Sequence, residues 1–170
     1  MRMQELSQGF VMGALSRDHE TVDHLLAEVL RATLAAAPER AEVALRELLS
    51  QITRHMDFEE RILFPVYESA TLQEAGQGPT ALLRSEHARI RTALGEMTRA
   101  LGAGSLPALS RAACELEAIL PGHNVREERV LHRVVDRVLG PLGALVLAAR
   151  LMPRAEGNPP WLEGPVRPGP

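Results

Sequence analysis

His55 and Glu59 stand four residues apart in the stretch HMDFEE (55–60), and His123 and Glu127 repeat the spacing in HNVREE (123–128). On a helix, positions i and i+4 lie about 40° apart on one face, one turn removed, so each histidine and its glutamate project together. Two further histidines, His19 in DHETV and His87 in EHARI, each precede one of these pairs by 36 residues. A neutral imidazole and a carboxylate both suit iron, manganese and zinc. One such pair alone would be an exposed i,i+4 contact of about 0.2–0.5 kcal/mol. Six residues of these types recurring together point instead to a metal site.

The recurrence is an internal repeat. Shifted by 68 residues, His19 falls on His87, Val22 on Ile90, Leu26 on Leu94, Leu48 on Leu116, Ile52 on Leu120, His55 on His123 and Glu59 on Glu127. Local text matches as well, EERIL with EERVL. The chain reads as two copies of one helical hairpin related by a pseudo-twofold axis.

Breakers delimit the elements that must carry these residues. A first helix is predicted from about Phe10 to Ala37, a second from Pro38 to about Ala70, a third from the EAGQGP loop (74–79) to about Leu101, and a fourth from Pro107 to Leu139. Gly140 and Pro141 end the fourth, and a short fifth helix to Met152 follows. The tail 153–170, with six prolines and three glycines, is expected to be extended, docked through Trp161 or disordered. Short connections make this an all-α, antiparallel up-down four-helix bundle over residues 1–152.

Apolar positions recur at helical spacing on each element. The second helix presents Leu45, Leu48, Ile52, His55, Glu59, Ile62 and Val66, and the fourth Leu116, Leu120, His123, Glu127, Val130 and Val134. The first gives Met12, Leu15, His19, Val22, Leu26 and Leu30, and the third Leu83, His87, Ile90, Leu94 and Leu101. Every stripe is interrupted by His, or by His and Glu, at one level. Burying two carboxylates costs several kcal/mol or shifts their pKa strongly, and no arginine lies on these stripes at that level. Cations would resolve the conflict. With Glu59 and Glu127 bridging, each of two ions would receive two histidines and two carboxylate oxygens. Solvent, an oxo or hydroxo bridge and a small ligand would complete the coordination.

The pattern H…HxxxE…H…HxxxE over four helices closely resembles the hemerythrin-like (HHE cation-binding) domain family, and HMDFEERILFP resembles its second-helix signature. The resemblance covers about residues 10–140. It implies a non-haem di-iron centre, with His19, His55, His87 and His123 as terminal ligands and Glu59 and Glu127 as bridges. Oxygen-carrying hemerythrins have a second histidine one turn after the third-helix ligand, where this chain has Arg91, and end with His-x4-Asp, where this chain has His-x3-Glu. That set is poorer in histidine and argues against simple reversible oxygen carriage. A helix-interior proline costs about 3 kcal/mol and glycine about 1. Pro121 and Gly122 therefore predict a kink, bulge or break beside His123, and Pro65 a bend below Glu59.

Other polar residues are read as lying outside the site. His24 lies about 140° around the helix from His19, and His132 about 180° from His123. Glu60 and Glu128 are assigned to a solvated face or to pairs with Arg61 and Arg129. Asp18 and Glu86 each precede a ligand histidine and could serve as outer acceptors, but a sequence neighbour points about 100° away, so that role is set aside. Tyr67 and Cys114 are assigned to packing.

Composition narrows the function. Aromatics are 3% of the chain, the net charge is -3, and all basic residues are arginines with no basic stripe, so no nucleic-acid partner is expected. No apolar run is long enough to cross a membrane, and the N-terminus lacks the apolar core of a signal peptide. A lone cysteine fits a reducing, cytoplasmic compartment. The leading expectation is a non-haem di-iron protein that binds or reacts with dioxygen, nitric oxide or peroxide, in sensing, stress defence or iron handling. If it is an enzyme, the chemistry is redox. The alternative is a metal-stabilised interaction or regulatory module with a structural ion such as zinc.

Overall fold

Pro38 sits in the first turn of the second helix, where its missing N–H costs nothing and its fixed φ suits the helix. The three residues before it, 35–37, turn the chain back on itself. In the computed structural model, which describes residues 10–139, α1 (Phe10–Leu34) is followed by α2 (Pro38–Phe58), a π-helical turn (Glu59–Leu63) and α3 (Phe64–Thr71), all three forming one rod. Then come α4 (Gly78–Gly102), α5 (Leu106–Arg126), a second π-helical turn (Glu127–His132) and further helix over 133–139. Ser105 caps α5, accepting from the Ala108 N–H at 3.4 Å. No strand occurs among the described residues. The four rods pack cyclically: α1 lies against α2 and α5, and α4 against α2 and α5. The bundle is all-α, as the periodicity predicts. The C-terminal helix to Met152, the tail with Trp161, and the side chains of Met12 and His132 lie outside the described residues.

The core has two apolar clusters. One holds Val22, Leu26, Leu45, Leu48, Ile52, Ile90, Leu94, Leu116 and Leu120. The other holds Leu15, Phe58, Leu63, Phe64, Tyr67, Leu83, Leu131 and Val135. Between them His19, His55, Glu59, His87, His123 and Glu127 are all buried. The single polar level read from the stripes is thus sandwiched between two oily layers.

Three expectations need correction. Pro121 does not break or widen its helix. α5 runs through it and Gly122, and both are exposed, so the carbonyl that loses its partner can bond water. The wide turns instead begin at Glu59 and Glu127, equivalent positions of the repeat, although only the first copy has a nearby proline (Pro65; its counterpart is Arg133). Each π turn adds one residue, and the inward face slips by one position beyond it. Leu63 and Phe64 are buried where Ile62 is only half-buried, Tyr67 where Val66 is, and Leu131 and Val135 where Val130 and Val134 are. Finally, Cys114 is exposed, because Ala113 and Leu116 occupy the inward positions of its turn.

Candidate metal centre

Each rod delivers its polar residues to the layer from a different quarter. α1 supplies His19, α2 His55, α4 His87 and α5 His123, while each π turn opens with its glutamate, Glu59 or Glu127. The imidazoles form two T-shaped pairs: His19 with His55, ring centroids 4.8 Å apart, and His87 with His123 at 4.9 Å. The Nε2 atoms of the first pair are 3.1 Å apart.

The two glutamates span both pairs. Glu127 Oε2 lies 3.3 Å from His19 Nε2 and 3.9 Å from His55 Nε2, while its Oε1 lies 2.9 Å from His123 Nε2 and 3.5 Å from His87 Nε2. Glu59 Oε1 lies 3.5 Å from His55 Nε2 and its Oε2 3.3 Å from His87 Nε2. Glu59, His87, His123 and Glu127 place donor atoms within 4.8 Å of one another, and so do His19, His55 and Glu127. All six residues singled out by spacing therefore meet, as two groups that share Glu127.

Behind the imidazoles stands a ring of carboxylates. Asp18 Oδ2 on α1 is 3.4 Å from His55 Nδ1 on α2. Glu60 Oε1, in the first π turn, is 2.8 Å from His87 Nδ1 on α4. Glu86 Oε2 on α4 is 3.1 Å from His123 Nδ1 on α5. Glu128 Oε1, in the second π turn, is 3.4 Å from His19 Nδ1 on α1, which closes the circuit. Each Nδ1–H thereby has an acceptor on a neighbouring rod, and each Nε2 is aimed inward.

Sequence reasoning set Asp18 and Glu86 aside as acceptors and missed Glu60 and Glu128. Glu60 does not pair with Arg61, whose guanidinium lies 3.5 Å from Asp57. Asp18 and Glu86 do turn away from the core, but in a bundle that direction leads to the adjacent helix rather than to water. Their signal was the duplication itself: Asp18 with Glu86 and Glu60 with Glu128 recur at the same 68-residue shift as the histidines.

Each acceptor is held in turn by a residue that the repeat does not duplicate. Gln51 Nε2 donates to Asp18 at 2.8 Å, Arg91 Nη1 to Glu60 at 2.9 Å and Ser16 Oγ to Glu128 at 3.3 Å. Arg126 clamps Glu86 with Nε at 3.2 Å and with Nη2. Arg91, which stands where oxygen carriers have a histidine, thus fixes the acceptor of His87. Phe64 stacks on the His87 ring at 5.5 Å. His24 is exposed and apart from the cluster, and Tyr67 packs in the apolar cluster beside it.

Electrostatics follow the geometry. Burial alone would depress His87, yet the carboxylates of Glu127, Glu59 and Glu60 outweigh it and push its pKa up to about 10. His55 is likewise opposed by burial and raised well above its ordinary value by Glu59, Asp18 and Glu127. Burial would raise Glu127, but the nitrogens of His123, His19, His55 and His87 hold it well below the carboxylate range. Glu60, also opposed by burial, is brought to about 2 by His87 and Arg91.

The donor set fits a pair of cations. Both Glu127 oxygens and His87 Nε2 are buried without a hydrogen bond of good geometry, despite close neighbours. A buried carboxylate in that state calls for positive charge. Four imidazoles, each fixed through Nδ1, and two spanning carboxylates suit first-row metals.

The profile of the hemerythrin HHE cation-binding domain matches residues 12–139. The chain belongs to that family. Comparison with curated proteins and with solved structures returned no significant match.

Proposed function

We propose that the chain is a non-haem di-iron protein whose centre binds or reacts with a small diatomic or peroxide ligand. One ion would be held by His19 and His55, the other by His87 and His123, with Glu59 and Glu127 shared between them. The observation that carries this reading is Glu127: a buried carboxylate with one oxygen toward each histidine pair, in a layer closed above and below by apolar side chains. When bound, such ions supply reversible electron transfer to and from dioxygen, nitric oxide or peroxide.

The chain's own residues set the conditions. The four outer carboxylates would hold the imidazoles in the tautomer that presents Nε2 to a metal, and raise its basicity. The two apolar clusters limit water at the layer, which strengthens every charge interaction inside it. Domain limits of 1–152 with a separate tail, and a cytoplasmic setting in sensing, stress defence or iron handling, are part of this proposal. No helix among the described residues is long and apolar enough to cross a membrane.

Metal-free protein supplied with ferrous iron and exposed to air should take up two irons per chain and develop charge-transfer absorption that azide shifts. A colourless, redox-inert protein that retains stoichiometric zinc would replace this reading with a structural ion in an interaction module. If neither metal binds and His55→Ala leaves stability unchanged, both readings fail.

A further inference from the structure

The two ends of the cluster use the same ligand types, but their surroundings carry different charge. At the His87/His123 end, both outer carboxylates are matched by guanidinium groups: Glu60 by Arg91 at 2.9 Å and Glu86 by Arg126 through two nitrogens. Arg91 also lies 4.0 Å from Asp57, but Asp57 has Arg61 at 3.5 Å, so that surface group remains balanced.

At the His19/His55 end, the holders are neutral. Asp18 is fixed by the Gln51 amide and Glu128 by the Ser16 hydroxyl. Among the described residues no arginine contacts either carboxylate. The nearest guanidinium in the chain of contacts, Arg54, bonds Gln51 Oε1 and stands one side chain further out. Asp18 is the stronger contributor, since its side chain is 16% exposed, whereas Glu128 at 39% is more screened by solvent.

The difference has a direct electrostatic consequence. The energy of a cation in a fixed field scales with its charge, so an unmatched carboxylate behind an imidazole favours a trivalent ion over a divalent one. A carboxylate neutralised by arginine gives up most of that preference, and its arginine also draws electron density away from the imidazole it supports. We propose that the cluster is a charge-graded pair of metal positions, with His19/His55 selecting the more highly charged ion and His87/His123 the less highly charged one, and with Arg91 and Arg126 setting the gradient. This rests on the metal-centre reading and adds to it a distinction made behind the inward residues, by what holds the outer carboxylates.

Redox-inert ions test it without any turnover. Metal-free protein is loaded with one equivalent each of zinc(II) and gallium(III), the latter supplied as its citrate complex, and crystallised. Anomalous scattering is then measured at both absorption edges. Gallium should occupy the His19/His55 position and zinc the His87/His123 position, each at several-fold excess over the other. In the Arg91→Gln/Arg126→Gln double variant, the bias should collapse toward equal occupancy. Equal or reversed occupancy in the unaltered protein, zinc at both ends with gallium at neither, or a bias that survives loss of both arginines would each overturn the proposal. Absence of both ions from the six-residue cluster would overturn the metal-centre reading itself, and this proposal with it.

Discussion

Four imidazoles turn Nε2 into one layer because four carboxylates hold Nδ1 from behind. Replacing Asp18 by Asn keeps its shape and its contact with Gln51 but removes the charge that supports His55. Metal affinity at the His19/His55 end should fall by about 10–100-fold with little loss of fold, as competition against a chelator would measure. Protons compete for the same nitrogens. His87 takes up its proton at about 10 in the folded chain, against an ordinary value of 6.5. The folded state binds that proton more tightly, so the contribution to metal-free stability is full below about pH 6.5 and is lost as the pH rises through about 10. His55 shifts in the same direction. Glu127, held below its ordinary 4.5, contributes above that pH and loses its contribution as the pH falls. Urea midpoints of metal-free protein should therefore decline from pH 6.5 to 10. A flat or rising series would contradict the assignment. Because bound metal needs the imidazoles deprotonated, loading near pH 7 should release protons, which calorimetry in buffers of different ionisation enthalpy would detect.

Between α2 and α3, the π turn does two things at once. It rotates the inward face by one residue, and it brings the consecutive side chains of Glu59 and Glu60 onto opposite nitrogens of one ring, 3.3 Å from Nε2 and 2.8 Å from Nδ1 of His87. On an α-helix two neighbours diverge by about 100°. A π turn takes more residues per turn and splays them less. Deleting Arg61, an exposed member of that turn, leaves Leu63, Phe64 and Tyr67 three, four and seven residues after Glu59, still an inward stripe at α-helical spacing. The variant should unfold cooperatively yet bind metal at least about 10-fold more weakly at the His87/His123 end; unchanged binding would mean the turn is incidental. The same turn explains where the sequence was and was not legible. The stripes are read correctly up to Glu59 and Glu127, because each segment before them keeps a 3.6-residue period. Beyond them Ile62, Val66, Val130 and Val134 are misread by one position, since nothing in the local composition announces the added residue. Of the two prolines, Pro65 marks a distortion below Glu59, although its proline-free counterpart has the same wide turn, whereas Pro121 misdirects, since it lies in unbroken helix.

Across the whole molecule, the six inward residues were legible because duplication gives four hints of one layer. The outer ring was not, because judging Asp18 or Glu60 needs the position of the next rod, which no single helix contains. That ring joins every adjacent pair of rods at one level, between two apolar clusters. Metal held there contacts all four rods and should stabilise the bundle as a unit. At free metal 1,000 times its dissociation constant, the gain is about 4 kcal/mol, visible as a single unfolding transition that moves to higher denaturant without splitting. Two transitions would show that the hairpins unfold separately.

The holders of the outer ring also record which way the bundle is wound. Four duplicated helices with equivalent apolar stripes can be arranged clockwise or anticlockwise around their axis, and exchanging α2 with α5 would rebuild every carboxylate–histidine contact from the other copy of the repeat. It would not rebuild the holders. Asp18 would meet Ile119 in place of Gln51, Glu86 would meet Phe58 in place of Arg126, and Glu60 would face Asp23 in place of Arg91. Two anions would lose their donors and a third would confront another anion, each at a cost of about 1–3 kcal/mol where the group is buried. Glu128 alone would keep a donor, with Arg84 in place of Ser16. The handedness of a nearly symmetric fold is thus specified by side chains that the symmetry leaves out.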